Sequence, residues 1–363
     1  MSRTKIDEII KPRAFNVKFK GLLYVFLLLF IISCNSTKLS QEGFTNEFSL
    51  TTEEQLSKPE FAEKIENFYL TGVSGSFKGK DSVPIYFINF RKKNSKGSIC
   101  ISPGRTEAAI KYKELIYDLY NQGYSIYILD HRGQGFSGRM TEDSEMGYID
   151  DFQFYVDDLK MFYDNHIKPQ NHSKNFLLAH SMGGAIGMTY LEQYPVDFNA
   201  AVFSSPMLDF KLGYCSGAKA FGSEKPKYGL GQGNYEKNKA SFKKNKLTGS
   251  ELRYNRMIEA FDQETSAQIG GATYSWVIAS CNQFKYIDAH INDISIPFLI
   301  FSAENEQIVK KSAHKHFIKK AQELGKTCDL YQVANAQHEL LIEKDPQRIQ
   351  TINTILHFFN AIN

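Results

Sequence analysis

The segment KNFLLAHSMGG, Lys174 to Gly184, changes its period in the middle. Lys174 to Ala179 is a short apolar run of the kind that makes a buried strand. Met182 to Tyr194 carries Met, Ala, Ile and Leu at helical spacing. A serine at this junction is forced into a sharp strand-to-helix turn. Such a turn accepts only small side chains two residues to either side, here Ala179 and Gly183. The hydroxyl of Ser181 then stands at a helix N-terminus, where backbone N–H groups and the helix dipole favour developing negative charge. Ser181 is the candidate nucleophile. The N–H of Met182, directly after it, is a candidate donor to an oxyanion. An ordinary glycine-rich turn is the plain alternative, and the neighbouring elements decide between the two.

Upstream, Phe68 to Phe77 and Val83 to Phe90 alternate like an antiparallel pair at a sheet edge. Gly97 to Ser102 (GSICIS) reads as a buried strand, followed by a turn, PGRTE, at Pro103 to Glu107. A helix from Ala108 to Asn121, a strand Tyr124 to Leu129 and a glycine-rich loop, DHRGQGFSGR, come next. Tyr148 to Ile167 is patterned as a long amphipathic helix. Downstream, Asn199 to Ser204, Ile296 to Ser302 and Asp329 to Val333 are strands, and Pro346 to Ala361 is a closing helix. Alternating strands and helices predict an α/β fold with a mostly parallel, doubly wound sheet and active groups on loops at strand C-terminal ends. The gap from Met207 to Ile294 is too long for a loop and predicts an inserted helical cap. The expected boundaries are a core of residues 59–206 and 295–363, a cap of 207–294, and a polar tether of 35–58 rich in Ser, Thr, Glu and Gln.

With its strand-serine-helix turn, the chain resembles the α/β-hydrolases, with Ala179 where that family usually has glycine. In that family the chain order is nucleophile, acid, base. A serine hydroxyl needs a base to take its proton, and the base needs an acid to orient it. His338, in NAQHELL after the last strand, is the histidine in the right place. The acid belongs in SAENEQIV, Ser302 to Val309, where Glu304 and Glu306 compete. Aligning Ile308-Val309 with the family pattern GxxDxIV favours Glu306 and keeps Glu304 in reserve. The second oxyanion donor is expected from the PGRTE loop, at the N–H of Arg105. PGRTE with KYKELIYDL, DHRGQGFSGR, YVDDL, LLAHSMGGAI and GGATYSWV are similar to the bacterial lysophospholipases in the monoacylglycerol-lipase branch of that family. The resemblance covers most of residues 95–345. It implies hydrolysis of the carboxylic ester of a single-chain lipid, a lysophospholipid or monoacylglycerol, without a cofactor. Pro103-Gly104 stands where monoacylglycerol lipases have His-Gly, which favours the lysophospholipase side. Alternatives are a lipid transacylase, a general carboxylesterase and, in a different class, a non-catalytic lipid-binding lipoprotein. Asp130, Arg132, Asp157 and Asp158 are expected to brace loops or decorate a helix surface, and Arg105 to pair with Glu107 at the surface.

The first 33 residues read as a signal peptide. Lys5, Lys11, Arg13, Lys18 and Lys20 precede a run of 12 apolar residues, Gly21 to Ile32. That is shorter than the roughly 20 residues a membrane-spanning helix needs. Ile31-Ile32-Ser33-Cys34 resembles a bacterial lipobox, with Cys34 as the lipidated first residue. The expected location is a membrane of the bacterial cell envelope, inner or outer left open. Four other cysteines remain; Cys215 and Cys281, both in the cap, are left open as a pair, and free buried thiols are the default expectation. No metal-ligand spacing is present. His314 and His316 point to different faces of a helix. A formal net charge of +3 gives no support for nucleic-acid binding. Between Lys211 and Leu247, nine Lys against two Glu leave +7, interleaved with aromatic residues. Such a surface suits contact with an anionic membrane. Trp276, the only tryptophan, is expected to line the pocket or brace the cap.

Overall fold

The computed structural model describes residues 36–40, 43–211, 213–222 and 225–362, with the side chains of Lys237 and Asn238 left aside. The signal-peptide and Cys34 expectations lie outside the described residues. Nine strands make one sheet: β1 (Thr37–Leu39), β2 (Val73–Lys78), β3 (Pro84–Phe90), β4 (Ser98–Ser102), β5 (Ser125–Leu129), β6 (Asn175–His180), β7 (Ala200–Ser204), β8 (Phe298–Ala303) and β9 (Cys328–Val333). The spatial order is β1-β9-β8-β7-β6-β4-β5-β3-β2. Only the β2/β3 and β3/β5 pairs are antiparallel. Strands β4 to β8 are buried along their whole length apart from Asn175 at the start of β6, as near-continuous apolar runs such as SIYIL and FLIFSA require when helices cover both faces.

Among the described residues, nine helices of eight or more residues accompany this sheet: α1 (Pro59–Tyr69), α2 (Lys113–Asn121), α3 (Gln153–Phe162), α4 (Met182–Gln193), α5 (Tyr214–Phe221), α6 (Glu251–Gln263), α7 (Tyr274–His290), α8 (Lys311–Glu323) and α9 (Asp345–Ala361). Helix α4 is buried on nearly every side, because MGGAIGMTYLEQ has small residues where the sheet approaches. The two hydrophobic clusters lie on either face of the sheet. One gathers α3, α4, α7 and α8, the other α2 and α9. Helices α5, α6 and α7 fall within the gap between β7 and β8. Among the described residues, no helix is long and apolar enough to cross a membrane.

Three expectations need correction. Phe68 belongs to α1 rather than to an edge strand, because Pro59 opens a helix whose apolar face packs on the core. Residues 37–40 and 43–58 are not a free tether. β1 pairs in parallel with β9, Leu39, Leu50 and Leu56 are buried, and Thr51 donates through both N–H and Oγ to Asp118. Cys215 and Cys281 are joined in a disulfide with Cα atoms 5.9 Å apart, not left as free thiols. The packing of α5 on α7 brings them together, and no local sequence signal carries that. Cys100 and Cys328 are buried and lie outside the disulfide.

Candidate active site

Ser181 sits between β6 and α4 at φ 50° and ψ −115°, a backbone region that non-glycine residues avoid. The surroundings hold it there. Its N–H donates to the Ser204 carbonyl at 3.1 Å, and its own carbonyl accepts from the N–H groups of Met207 at 2.8 Å and Gly184 at 2.9 Å. Gly183 is required by contact: a Cβ there would lie 2.1 Å from the Ser102 carbonyl oxygen. The loop after β4, which carries Pro103, Gly104 and Arg105, therefore crosses directly over the start of α4.

The loop after β9 brings His338 onto the serine. Its Nε2 lies 2.9 Å from Ser181 Oγ, and its Nδ1 lies 2.7 Å from Glu306 Oε2. The other oxygen of Glu306 accepts from the N–H groups of Ile308 at 2.7 Å and Val309 at 3.1 Å. Burial alone would raise the Glu306 carboxyl. The facing His338 and the two backbone donors outweigh it and hold the group at about 2. The chain of contacts is suited to nucleophilic catalysis. A neutral imidazole accepts the hydroxyl proton at Nε2 while the carboxylate fixes the tautomer through Nδ1–H and stabilises the imidazolium. Ser181 and His338 are only 8% and 2% exposed, so the reaction centre is largely shielded from water.

Glu304 points elsewhere. Its carboxylate accepts from the Asn335 N–H at 2.8 Å and pairs with Lys38 of β1 at 2.8 Å, which leaves the histidine to Glu306. Met182 is the first residue of α4, where an N–H has no intrahelical carbonyl to bond. The Arg105 side chain does not pair with Glu107. It donates to the Gly270 carbonyl at 3.2 Å and stands over the Trp276 ring at 5.3 Å, joining the β4 loop to the segment between β7 and β8. Burial lowers this guanidinium to about 10. Glu107 is buried, and its nearest cation is Lys111. Asp158 is also buried rather than superficial, and its carboxylate takes two hydrogen bonds from Arg132. Asp130 braces its own loop by accepting from the Ala109 and Phe136 N–H groups. Asp157 accepts from the Gln153 amide at 2.9 Å. His314 is buried between Ser302 and the Pro206 carbonyl, while His316 is exposed beside Asp288.

Beneath the triad geometry lies a cluster that the sequence reading did not assemble: Glu107, Lys111, His180 and Glu339. Lys111 Nζ donates to Glu107 at 2.5 Å and to Glu339 at 2.6 Å. The ligating atoms of Glu107, His180 and Glu339 lie within 4.8 Å of one another, a spacing that could hold a metal. The Lys111 ammonium already sits between the two carboxylates as their cation. The available signal was position, since these residues directly flank the motifs that carry the site.

The serine aminopeptidase, S33 family matches residues 93–345. The chain belongs to that family. Its likeness to lysophospholipase L2 of Escherichia coli (strain K12) is 33% identity over 310 residues, spanning 82% of this chain and 91% of that one. It is 34% identical over 264 residues to the probable lysophospholipase L2 of Haemophilus influenzae, covering 71% and 82%. Monoglyceride lipase of Mus musculus is 22% identical over 267 residues, covering 73% and 82%. Among solved structures, a soluble variant of monoglyceride lipase from Saccharomyces cerevisiae in complex with a substrate analog superposes with a TM-score of 0.64 at 17% identity, covering 80% and 95% of the two chains. The α/β-hydrolase fold is thereby shown, and the S33 family places the chain among the serine hydrolases.

Proposed function

We propose that this S33 hydrolase cleaves the carboxylic ester of a single-chain lipid, a lysophospholipid or monoacylglycerol, through an acyl-enzyme. The observation that carries the reading is the unbroken contact chain from Ser181 Oγ through His338 to Glu306. Ser181 Oγ attacks the ester carbonyl as His338 Nε2 takes its proton. The tetrahedral oxyanion is held by the N–H groups of Met182 and Arg105. His338 then protonates the leaving alcohol, and the acyl-serine forms. A water, deprotonated by the same imidazole, attacks the acyl carbon and releases the fatty acid. The lipid class is supported by the relatives, of which the lysophospholipase L2 proteins are the more similar in sequence.

Membrane attachment belongs to the same reading. Between β7 and β8, Tyr214, Phe221 and Leu230 are 61%, 67% and 90% exposed, and Lys219, Lys243, Lys244 and Lys246 are exposed as well. Apolar side chains among lysines fit an anionic lipid surface. Cys34 would supply a lipid anchor to a membrane of the bacterial cell envelope.

A fluorophosphonate probe and a panel of lysophospholipids and monoacylglycerols test the assignment. Wild type is expected to label at Ser181 and to release one fatty acid per lipid consumed. Transfer of the acyl chain to a second lipid alcohol would make it a transacylase. Absence of both labelling and turnover would leave a lipid-binding protein that has kept the fold. Replacing Lys219, Lys243, Lys244 and Lys246 by Gln should slow turnover on anionic vesicles and spare a short soluble ester. Each lysine contributes about 1 kcal/mol of surface attraction, and the effect should shrink with added salt. Equal losses on both substrates, independent of salt, would remove the membrane role.

A further inference from the structure

The buried cluster below the site draws on each of the three segments that shape the reaction centre, with two members from the segment after β4. Glu107 lies two residues beyond Arg105, and one of its oxygens accepts from the Gly104 N–H at 2.5 Å and from the Tyr112 hydroxyl. His180 directly precedes Ser181, and Glu339 directly follows His338. Lys111 lies at the centre, bonded to both carboxylates. His180 Nε2 is 3.1 Å from Glu339 and 3.5 Å from Glu107. All four residues are buried.

We propose that Glu107, Lys111, His180 and Glu339 form a positioning cluster that ties the three segments together and, through a charged His180, keeps His338 uncharged in the resting enzyme. The inference rests on the reading of Ser181, His338 and Glu306 as the reacting triad. Charge balance comes first. Two carboxylates and one ammonium leave −1 in a buried site, and a cationic His180 brings the cluster to zero. The contacts agree. His180 Nδ1 faces the Ser204 carbonyl at 3.0 Å and so carries a proton, while Nε2, which makes no aligned hydrogen bond, lies 3.1 Å from the Glu339 carboxylate, where a proton and its positive charge are favoured over a bare lone pair. Burial alone would strip the proton, but Glu339 and Glu107 outweigh it and raise the proton affinity of the ring.

The consequence falls on the neighbouring ring. The centroids of His180 and His338 are 4.9 Å apart. A positive charge that close disfavours a second one on His338, so the base stays available at lower pH. The other groups around the pair are accounted for. Lys111 and Glu107 face His180 from the segment after β4, with Tyr112 donating to Glu107, and Glu339 faces it from the β9 loop. Glu306 and Ser181 face His338, and the Glu339 carboxylate acts on it as well as on His180. His314, lowered to about 4 by burial, stays neutral over the working range.

The test is the acid limb of kcat/KM against pH on a short soluble ester, which reports protonation of the free enzyme's base. His180→Asn leaves the cluster at −1 and is expected to move the limb up by about one pH unit. Lys111→Met removes one positive charge from a different segment and should move it the same way. The double variant His180→Asn with Glu339→Gln is neutral again and should bring the limb back near wild type. A lower kcat with the limb unmoved in His180→Asn and Lys111→Met would overturn the proposal, leaving the cluster as packing. Circular dichroism identifies a variant that does not fold, and the other single variant then decides. Ser181→Ala is run alongside. If it keeps activity, the triad reading itself fails; if it is inactive while the limb stays put, only the role of the cluster fails.

Discussion

At the scale of single residues, each group of the candidate site is held by neighbours that leave it little freedom. Ser181 keeps an unfavourable backbone conformation because the β7 strand and the chain after it bond both its N–H and its carbonyl. Ser181→Ala retains those bonds and should fold normally while losing activity by about 10⁶ in kcat. His338→Ala should match it, and the pair together should be little worse, because a triad acts as a unit; ester hydrolysis by the purified variants checks this. Glu306→Gln should cost about 10⁴, the size expected when the imidazole loses its tautomer control. Glu304→Gln should cost little activity, since that carboxylate holds Lys38 and the Asn335 N–H. The larger loss in Glu304→Gln would reverse the assignment. Glu306 also has a signed effect on stability. Its folded value of about 2 lies below its unfolded value of about 4.3. Its contribution is therefore complete above the unfolded value and is lost as pH falls through the folded one. Denaturant titrations of wild type and Glu306→Gln should converge as pH drops from 5 towards 2.

Elements set how these residues meet. Helix α4 begins at the turn, and the loop after β4 passes so close over it that Gly183→Ala must push two backbone oxygens aside. That variant should lose activity and stability together, read by thermal melting beside the ester assay. Between β7 and β8, α5 and α7 are packed together and cross-linked by Cys215 and Cys281. The bridge closes a chain separation of 66 residues. Replacing both cysteines by serine should lower stability by about 2–4 kcal/mol, and adding a reductant to wild type should reproduce that loss. A melting temperature unchanged by reductant would show that the bridge is absent in solution. The sequence placed both cysteines in the cap, but whether they pair depends on the angle and register of two helices far apart in the chain.

At the scale of the whole molecule, the segment before α1 closes the structure. Arg253 of the cap helix α6 bonds Glu114 of α2, Asp345 of α9 and the Thr51 carbonyl. Arg348 of α9 also reaches the Thr51 carbonyl and pairs with Asp118 and Glu114. One buried ionic network thus links the N-terminal segment, the core and the cap. A chain beginning at residue 59 loses the burial of Leu39, Leu50 and Leu56, on the order of 5 kcal/mol in all. Its melting temperature should fall by roughly 10 °C. An unchanged melting temperature would return this segment to the role of a tether. The sequence did carry one sign of structure here, a capping box in which Thr52 and Gln55 bond reciprocally. Its polar composition concealed that sign.

The strands, the serine turn and the two loops bearing Glu306 and His338 could be read from the amino-acid order because each is specified locally. Apolar runs make buried strands, small residues permit the sharp turn, and chain order assigns the loops. The choice of Glu306 over Glu304 rested on a two-residue offset, and only the positions of Lys38 and Asn335 give Glu304 another partner. The strand at Thr37–Leu39, the disulfide, the buried state of Glu107 and the cluster around Lys111 were decided by tertiary structure alone. Each depends on groups distant in sequence becoming neighbours in a low-dielectric interior. There, partners rather than composition determine whether a polar residue is surface decoration or part of the core.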